Sequence, residues 1–349
     1  MKKKVVIELP KRASEDPSSR GKMFEAEALD PIADIVVGDA ESAEIFLAEA
    51  KDADAIIVTW GIQIDKHIIG QLKKCTAIGV ASVGVDMVDV AAATEAGIVV
   101  TNVPDIFIEE VADHTLMLLL ASQRRVKRME NFISKGEWGK AWPDLAQHPR
   151  LWGQTLGLIS FGNVACAVAR RAQVFGLRVI AYDPYVTELK MTAENVEPVS
   201  LDELLERSDF VSMHPPHNAE TEGMLTTKHF KMMKKSSIVI NAGRGPTIDE
   251  SALIEALFAG EIAGAGLDVL EKEPPESGNP LLSMENVLLS PHVASATTRM
   301  RPESRRRVGR EVAMVLTGRW PLSCVNPTVL PRVSLERWQP YPMERGPNR

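Results

Sequence analysis

Short apolar segments alternate with helix-like segments along most of the chain, and this alternation restricts the fold more than any other feature. In the first third the apolar segments are "KKKVVIEL" and residues 32–39, 53–60 and 76–82. Between them lie "DAESAEIFLAEAKD" and "DKHIIGQLKK", which have the composition and length of helices. Strands that alternate with helices in this way form βαβ units with parallel strands. The sequence therefore predicts an α/β protein with doubly wound parallel sheets.

A second and more regular alternation begins near residue 155. Its predicted strands are "TLGLIS", "RVIAYD", "DFVSMH", "SIVINAG", "IAGAGLDV" and "VLLSPH", and its predicted helices are "NVACAVARRAQVF", "SLDELLER", "TKHFKMM" and "DESALIEALFAG". Because 349 residues exceed one typical core, we expect two domains. Residues 108–136 predict one long helix between them, and residues 137–153 a loop rich in Trp and Pro. "ESRRRVGREVAMVLTG" predicts a helix that returns to the first domain.

Charge and cysteine content exclude several classes of function. The net charge is −7, whereas broad nucleic-acid affinity requires a basic face. The basic run at residues 299–310 is either the solvated face of a helix, which we favour, or a nucleic-acid patch. Three widely spaced cysteines without a C-x-x-C pair favour a reducing compartment and no metal site. The N-terminal apolar run is too short for a signal sequence and no segment is long enough to span a bilayer, so we expect a cytoplasmic protein without a membrane partner.

The segment "LGLISFGNVACAVA" (residues 156–169) predicts a strand, a tight turn and a helix. A dinucleotide loop at such a turn has the pattern G-x-G-x-x-G, which here becomes Ser160-x-Gly162-x-x-Ala165. Gly162 occupies the position at which the backbone approaches the pyrophosphate, and helix amides from Asn163 onward can bind phosphate. If Ser160 has a positive φ, its Cβ costs about 1–2 kcal/mol; if it is extended, serine is tolerated.

Asp183 ends the next predicted strand, about 20 residues after the loop, where an acid binds the ribose hydroxyls. An acid at this position also repels a 2′-phosphate, which favours NAD over NADP. The alternative is that Asp183 only initiates the turn before Pro184.

Polar side chains follow three later strands of the same predicted sheet. They are Arg244 in "INAGRGPTID", Glu273 in "GLDVLEKEPP" and His292 in "VLLSPHVASATT". Taken singly, each has an ordinary explanation as a surface arginine, a solvated acid or a structural histidine. Together they suit hydride transfer at a 2-hydroxy acid: Arg244 binds the carboxylate, His292 exchanges the hydroxyl proton and Glu273 orients His292.

These segments also carry a resemblance to a known family. The chain resembles the D-isomer-specific 2-hydroxyacid dehydrogenases, and within them is similar to the branch of the C-terminal-binding-protein corepressors. The matching stretches include "SVGVDMVD", "AGIVVTNVPD", "EEVADHT", "NAGRGPTIDESAL", "GLDVLEKEPP" and "SPHVASATT". They follow the order of the family from about residue 52 to residue 325.

The resemblance implies an architecture and a set of contacts. A Rossmann-like cofactor domain, residues 105–295, would be inserted in a split flavodoxin-like substrate domain, residues 1–104 plus 296–330, with a Pro-rich tail at 331–349. The Arg–Glu–His triad falls on Arg244, Glu273 and His292, and backbone amides of Val83 and Gly84 would join Arg244 in binding the substrate. Implied NAD contacts are Thr115, Pro215, Ala242, Gly243, Asp268 and His292, which join the loop residues Phe161, Gly162, Asn163 and Val164 and the acid Asp183. Dimerisation would occur through the cofactor domain and its long helix.

Two departures from the family pattern bear on cofactor affinity and substrate choice. Ser160 and Ala165 replace glycines of the phosphate loop, and Ser295 stands where the corepressor branch has a pocket tryptophan. Trp60 either faces the substrate or belongs to the core.

We therefore expect an NAD-dependent oxidoreductase that interconverts a 2-keto acid and a D-2-hydroxy acid. The alternatives are an NAD(H)-sensing, corepressor-like scaffold on the same fold, and a dehydrogenase that has lost cofactor binding.

Overall fold

The computed structural model describes residues 2–9, 23–39 and 41–337, so most of the predicted tail lies outside the described residues. The chain divides into two compact units. One contains Met1–Ile106 and Thr297–Arg349, and the other is Phe107–Ala296. The chain therefore leaves the first unit once and returns to it once.

The first unit contains one five-stranded sheet in the order β2-β1-β3-β4-β5. All neighbouring strands are parallel, and 2-1-3-4-5 is the flavodoxin-like order. Its strands are β1 (Lys3–Leu9), β2 (Ala33–Asp39), β3 (Ala55–Val58), β4 (Ala77–Val80) and β5 (Val99–Thr101). Its helices are α1 (Ala26–Leu29), α2 (Ala43–Ala50), α3 (Lys66–Gln71), α4 (Val90–Glu95) and α13 (Met300–Leu316).

Helix α13 packs closely against the middle of this sheet. A Cβ on Gly79 of β4 would lie 2.7 Å from Val308 and 2.6 Å from Val312, so the missing side chain permits this approach. The predicted basic run lies on α13, but its arginines are not simply solvated. Arg305 is buried and pairs with buried Glu25 at 2.6 Å, because a charge taken out of water requires a partner.

The second unit contains a seven-stranded parallel sheet in the order β12-β11-β10-β9-β6-β7-β8. Counted within the unit, this is 3-2-1-4-5-6-7, the Rossmann order with one further strand, and it confirms the predicted fold class. The strands are β6 (Thr155–Ile159), β7 (Arg178–Tyr182), β8 (Glu197–Pro198), β9 (Phe210–Met213), β10 (Ile238–Asn241), β11 (Gly264–Leu267) and β12 (Val287–Leu289). The helices are α5 (Ile108–Gln123), α6 (Val126–Ser134), α7 (Trp138–Leu145), α8 (Asn163–Val174), α9 (Glu188–Ala193), α10 (Leu201–Arg207), α11 (Thr227–Met232) and α12 (Glu250–Ala259).

Two sequence predictions are wrong between α5 and β6. The single long helix is interrupted at Arg125, whose φ is +50°, so α5 ends and α6 begins in a new direction. The predicted loop contains α7, although Pro143 removes one helical hydrogen bond. Asp144 of α7 accepts bonds from Arg125 at 2.8 Å and Arg128 at 2.5 Å. These ion pairs join α7 to α6. The sequence pattern around each residue does not predict them.

Two further observations concern membranes and metals. Among the residues that the structure describes, no helix is long and apolar enough to cross a membrane. Within the same part of the chain there is no cluster of three or more His, Cys, Asp or Glu side chains suited to a metal ion.

Candidate active site

The strand order of the second unit reverses between β6 and β9, which are hydrogen-bonded neighbours. In open α/β sheets, ligands bind beyond the carboxyl ends of the strands at such a switch point. The loop after β6 contains Gly162, the segment after β9 contains Pro215, and the segment after β10 contains Ala242 and Gly243. The fold thus brings these predicted cofactor residues to one edge of the sheet.

The predicted phosphate loop forms a sharp turn with an open surface. Ser160 has a φ of +71°, which settles the alternative that the sequence left open in favour of the strained conformation. Gly162 is the N-cap of α8, so no N-cap side chain occupies the first amides of this helix. A Cβ on Gly162 would meet nothing within 4 Å, so there is space over the helix N-terminus. Exposed N-terminal amides and open space fit a pyrophosphate, as in a dinucleotide.

Asp183 contacts the phosphate loop directly. Its Oδ2 accepts bonds from the Phe161 amide at 2.8 Å and from Ser160 Oγ at 3.1 Å. Its Oδ1 accepts from the Tyr185 amide at 2.8 Å. Asp183 does shape the turn that follows β7, but it also holds the phosphate loop, so it is more than a turn initiator.

His292 and Glu273 form a bonded pair. The distance from His292 Nδ1 to Glu273 Oε2 is 2.7 Å, and Glu273 Oε1 accepts the Leu270 amide at 3.0 Å. Burial raises the pKa of Glu273, but the bonds from His292 and the Leu270 amide outweigh it and leave the pKa below its ordinary value. Glu273 is therefore an ionised acceptor at neutral pH, and His292 Nδ1 carries the donated proton.

Asp268 organises the segment that contains His292. The backbone carbonyl of Asp268 accepts the His292 amide at 2.7 Å, and its carboxylate accepts the amides of Val293 at 3.0 Å and Ala294 at 2.8 Å. Ser290 Oγ donates to the same carboxylate at 2.6 Å. These bonds hold His292 at a φ of +53°, an unusual conformation for a residue other than glycine. The Asp268 side chain has no accessible surface, so in this structure it positions the His292 segment and is not exposed to a cofactor. Its contact with the nicotinamide stays a prediction.

Arg244 lies in a loop that presses against the loop of Glu273. The Arg244 carbonyl accepts bonds from Asn241 Nδ2 at 3.0 Å and Thr247 Oγ1 at 2.6 Å, which fix the turn after β10. A Cβ on Gly245 would lie only 1.8 Å from the Leu270 carbonyl oxygen. Only glycine permits this approach, and Leu270 in turn donates its amide to Glu273.

The remaining predicted contacts differ in accessibility. Thr115 is fully buried and donates its hydroxyl to Val111 within α5, so this side chain is not exposed to a cofactor here. Ala242 is also buried. Val83 is 43% exposed and Gly84 partly exposed, but both belong to the first unit, and their role as substrate contacts stays a prediction. Trp60 is 55% exposed, which excludes the core position, one of the two alternatives that the sequence left open.

One side chain of this network was not predicted from the sequence. His114 of α5 lies with Nε2 2.8 Å from Ser290 Oγ and 3.3 Å from Asp268 Oδ1. Because Ser290 donates its only hydroxyl proton to Asp268, His114 donates to Ser290. A histidine directly before the apolar stretch of α5, between Asp113 and Thr115, was the available signal.

A parallel Rossmann sheet with an open phosphate loop at its switch point defines a dinucleotide-binding α/β protein. The family model for the NAD-binding domain of D-isomer specific 2-hydroxyacid dehydrogenases matches residues 116–294. Together with the relatives below, this match shows that the chain belongs to the D-isomer-specific 2-hydroxyacid dehydrogenase family, a family of oxidoreductases.

Named relatives of the chain are dehydrogenases and reductases. It is 36% identical to a D-3-phosphoglycerate dehydrogenase of Methanocaldococcus jannaschii over 90% of its own length, but spans only 59% of that protein. It is 38% identical to a glyoxylate reductase of Korarchaeum cryptofilum, over 83% of this chain and 87% of the relative. The crystal structure of Aquifex aeolicus D-lactate dehydrogenase with NAD and lactic acid matches with a TM-score of 0.78 and 27% identity, over 90% of this chain and 96% of that one. Other solved relatives contain NADPH or NADP, so likeness alone does not decide the cofactor.

Proposed function

We propose that the protein interconverts a 2-keto acid and the corresponding D-2-hydroxy acid with NADH or NAD as cofactor. The observation that carries this proposal is the His292–Glu273 pair, 2.7 Å apart, on a loop packed against the loop of Arg244. Family membership and the named relatives support the reaction class.

Each of the three side chains has a distinct part in the reaction. Arg244 presents a planar fork that matches a carboxylate and polarises the adjacent carbonyl. In the reducing direction His292 donates a proton from Nε2 to the carbonyl oxygen, and in the oxidising direction it accepts the hydroxyl proton there. Glu273 stabilises the imidazolium and fixes the proton on Nδ1. When bound, reduced nicotinamide supplies the hydride for C2 of the keto acid.

The phosphate loop after β6 and Asp183 after β7 would bind the cofactor. The N-terminal amides of α8 from Asn163 and Val164 would bind the pyrophosphate above Gly162. Asp183 would accept the ribose hydroxyls and repel a 2′-phosphate, so we expect NADH to be preferred. A cytoplasmic location and a homodimeric state remain part of the same proposal.

The decisive experiment measures NADH and NADPH oxidation with a panel of 2-keto acids. We expect turnover with NADH for at least one small keto acid, and His292→Ala and Arg244→Ala should each lower kcat/KM by about 10²-fold or more without changing the unfolding temperature. His67→Ala and Arg207→Ala are matched controls, since each side chain is at least partly exposed and lies on a helix that contributes no residue to the triad.

Other outcomes would contradict the proposal. If either triad variant kept normal turnover on every accepted acid, the assignment of the residues would be wrong. Tight NADH binding without any turnover would favour the sensing scaffold, and absence of NADH binding would indicate a dehydrogenase that has lost its cofactor.

A further inference from the structure

Ser160 has a backbone conformation that glycine would adopt at lower cost. Its φ of +71° lies in the left-handed region, where a Cβ is strained, and it occupies the first position of the phosphate-loop pattern. A serine that served only to turn the chain would be inferior to glycine. We therefore expect the Ser160 hydroxyl to make a contact that glycine cannot make.

The Ser160 hydroxyl bonds to the acid expected to recognise the ribose. Because a carboxylate only accepts, Ser160 Oγ is the donor in its 3.1 Å bond to Asp183 Oδ2. The Phe161 amide donates to the same oxygen, and the Tyr185 amide donates to the other. The Ser160 amide also donates to the Tyr182 carbonyl at 2.8 Å, so backbone and side chain both join the loop to the end of β7.

These contacts restrict how the Asp183 carboxylate can turn. Bonds to both oxygens fix its plane, and the Ser160 hydroxyl is the one side-chain donor among the three contacts just described. A 2′-phosphate carries about −1.5 to −2 charges, and a carboxylate that cannot rotate away repels it fully. Without the Ser160 hydroxyl, two backbone amides alone hold the carboxylate, which is then less restricted in its rotation and repels a 2′-phosphate less.

We propose that Ser160 is a specificity-determining residue for the cofactor: by holding Asp183 against the phosphate loop, it increases the preference for NADH over NADPH. This inference rests on the proposed function, because it requires that the loop binds a nicotinamide dinucleotide. The strained backbone at Ser160 then has a function, because glycine, which has no side chain, cannot supply the bond to Asp183.

The test compares dissociation constants of NADH and NADPH, measured by fluorescence titration of the full chain without substrate. Ser160→Ala removes the hydroxyl and keeps the Cβ, whereas Ser160→Gly removes both. Asn195→Gly is the matched control, because Asn195 also has a positive φ, +54°, in the same unit. Thermal unfolding of the ligand-free variants is measured in parallel.

We expect wild type to bind NADH more tightly than NADPH, and both Ser160 variants to reduce this preference about fivefold, the effect of one hydrogen bond. Asn195→Gly should leave the preference unchanged, and Ser160→Ala should unfold at a lower temperature than Ser160→Gly. If Ser160→Ala does not fold, Ser160→Gly against Asn195→Gly decides the question.

An unchanged preference in the Ser160 variants would overturn the inference, as would a change in Ser160→Gly while Ser160→Ala matches wild type. Equal affinity of wild type for both dinucleotides would also overturn it. Wild type that binds NADH and shows no keto-acid turnover would contradict the proposed reaction but leave this test valid. Wild type that binds neither dinucleotide would overturn both.

Discussion

Ser160 and His292 both combine an unusual backbone with a proposed function. Each has a positive φ, and each is held by bonds to an aspartate that follows a neighbouring strand, Asp183 for Ser160 and Asp268 for His292. Left-handed conformations of non-glycine residues cost of order 1–3 kcal/mol and persist only where surrounding contacts impose them. The two aspartates supply those contacts, so strain and pre-organisation occur together at the candidate site.

Replacing Glu273 by glutamine should change the pH dependence of the reaction. The pKa of Glu273 is lowered, so its carboxylate is already ionised in the ordinary carboxyl range. It becomes protonated only as the pH falls through the lowered value. At neutral pH and above, the Glu273 carboxylate therefore stays charged and favours positive charge on the neighbouring ring during proton transfer. Glutamine retains the shape but not the charge, so as the pH rises keto-acid reduction by Glu273→Gln should lose activity at a lower pH than reduction by wild type.

The measurement is the pH profile of kcat/KM for reduction by wild type and Glu273→Gln. Glu276→Gln is the control, since Glu276 lies on the same loop but pairs with Lys272 on the surface. A Glu273→Gln profile that coincides with wild type would show that the carboxylate does not act on the catalytic proton.

Among elements, the loop after β10 and the loop after β11 behave as one structure. Gly245 allows the first to touch the Leu270 carbonyl of the second. Gly245→Ala would place a methyl group 1.8 Å from that oxygen, so one loop must move. We expect a loss of about 1–3 kcal/mol in the free energy of unfolding and a fall in kcat/KM larger than this loss explains.

Urea unfolding and steady-state kinetics test this expectation. Gly278→Ala is the matched control, because its Cβ would meet nothing within 4 Å and its φ is not positive. Normal activity in Gly245→Ala would mean that the separation of the two loops does not matter for the reaction.

The elements that the sequence predicts are set by neighbouring residues, whereas those that it does not predict depend on residues far apart in the chain. The sequence predicts strands such as β3, β4 and β10 because their segments are apolar, apart from Asn241 at the end of β10. The break at Arg125 accompanies an ion pair with Asp144, and the positive φ of Ser160 accompanies a bond to an acid 23 positions later. Local patterns carry no information on such partners.

The same difference applies to the candidate site. Arg244, Glu273 and His292 were predicted from their positions at strand ends, and the structure pairs Glu273 with His292. The burial of Asp268 and its contact with His114 result from the packing of α5 against the sheet. The sequence of a single segment does not reveal this packing.

At the scale of the whole molecule, the second unit has a group of exposed apolar side chains that line one groove. Met117 of α5, Val126 of α6 and Phe175 at the end of α8 are each more than 40% exposed and line one groove with Leu116 and Leu120. Scattered exposed apolar residues are ordinary, but a contiguous group marks an interaction surface. The charged residues Asp113, Arg124 and Arg171 border the groove and suit the polar rim of an interface.

We expect this groove to be the dimer contact that the family resemblance implies, with the same surface contributed by both copies. Wild type should sediment at twice the mass of the chain at micromolar concentration, and Met117→Glu and Phe175→Glu should shift it to the monomer, because each would bury an unpaired charge. Leu189→Glu is the control, since Leu189 is 78% exposed on α9 outside the groove. Sedimentation of wild type as a monomer would contradict the dimer, and dissociation by Leu189→Glu alone would place the contact on another surface.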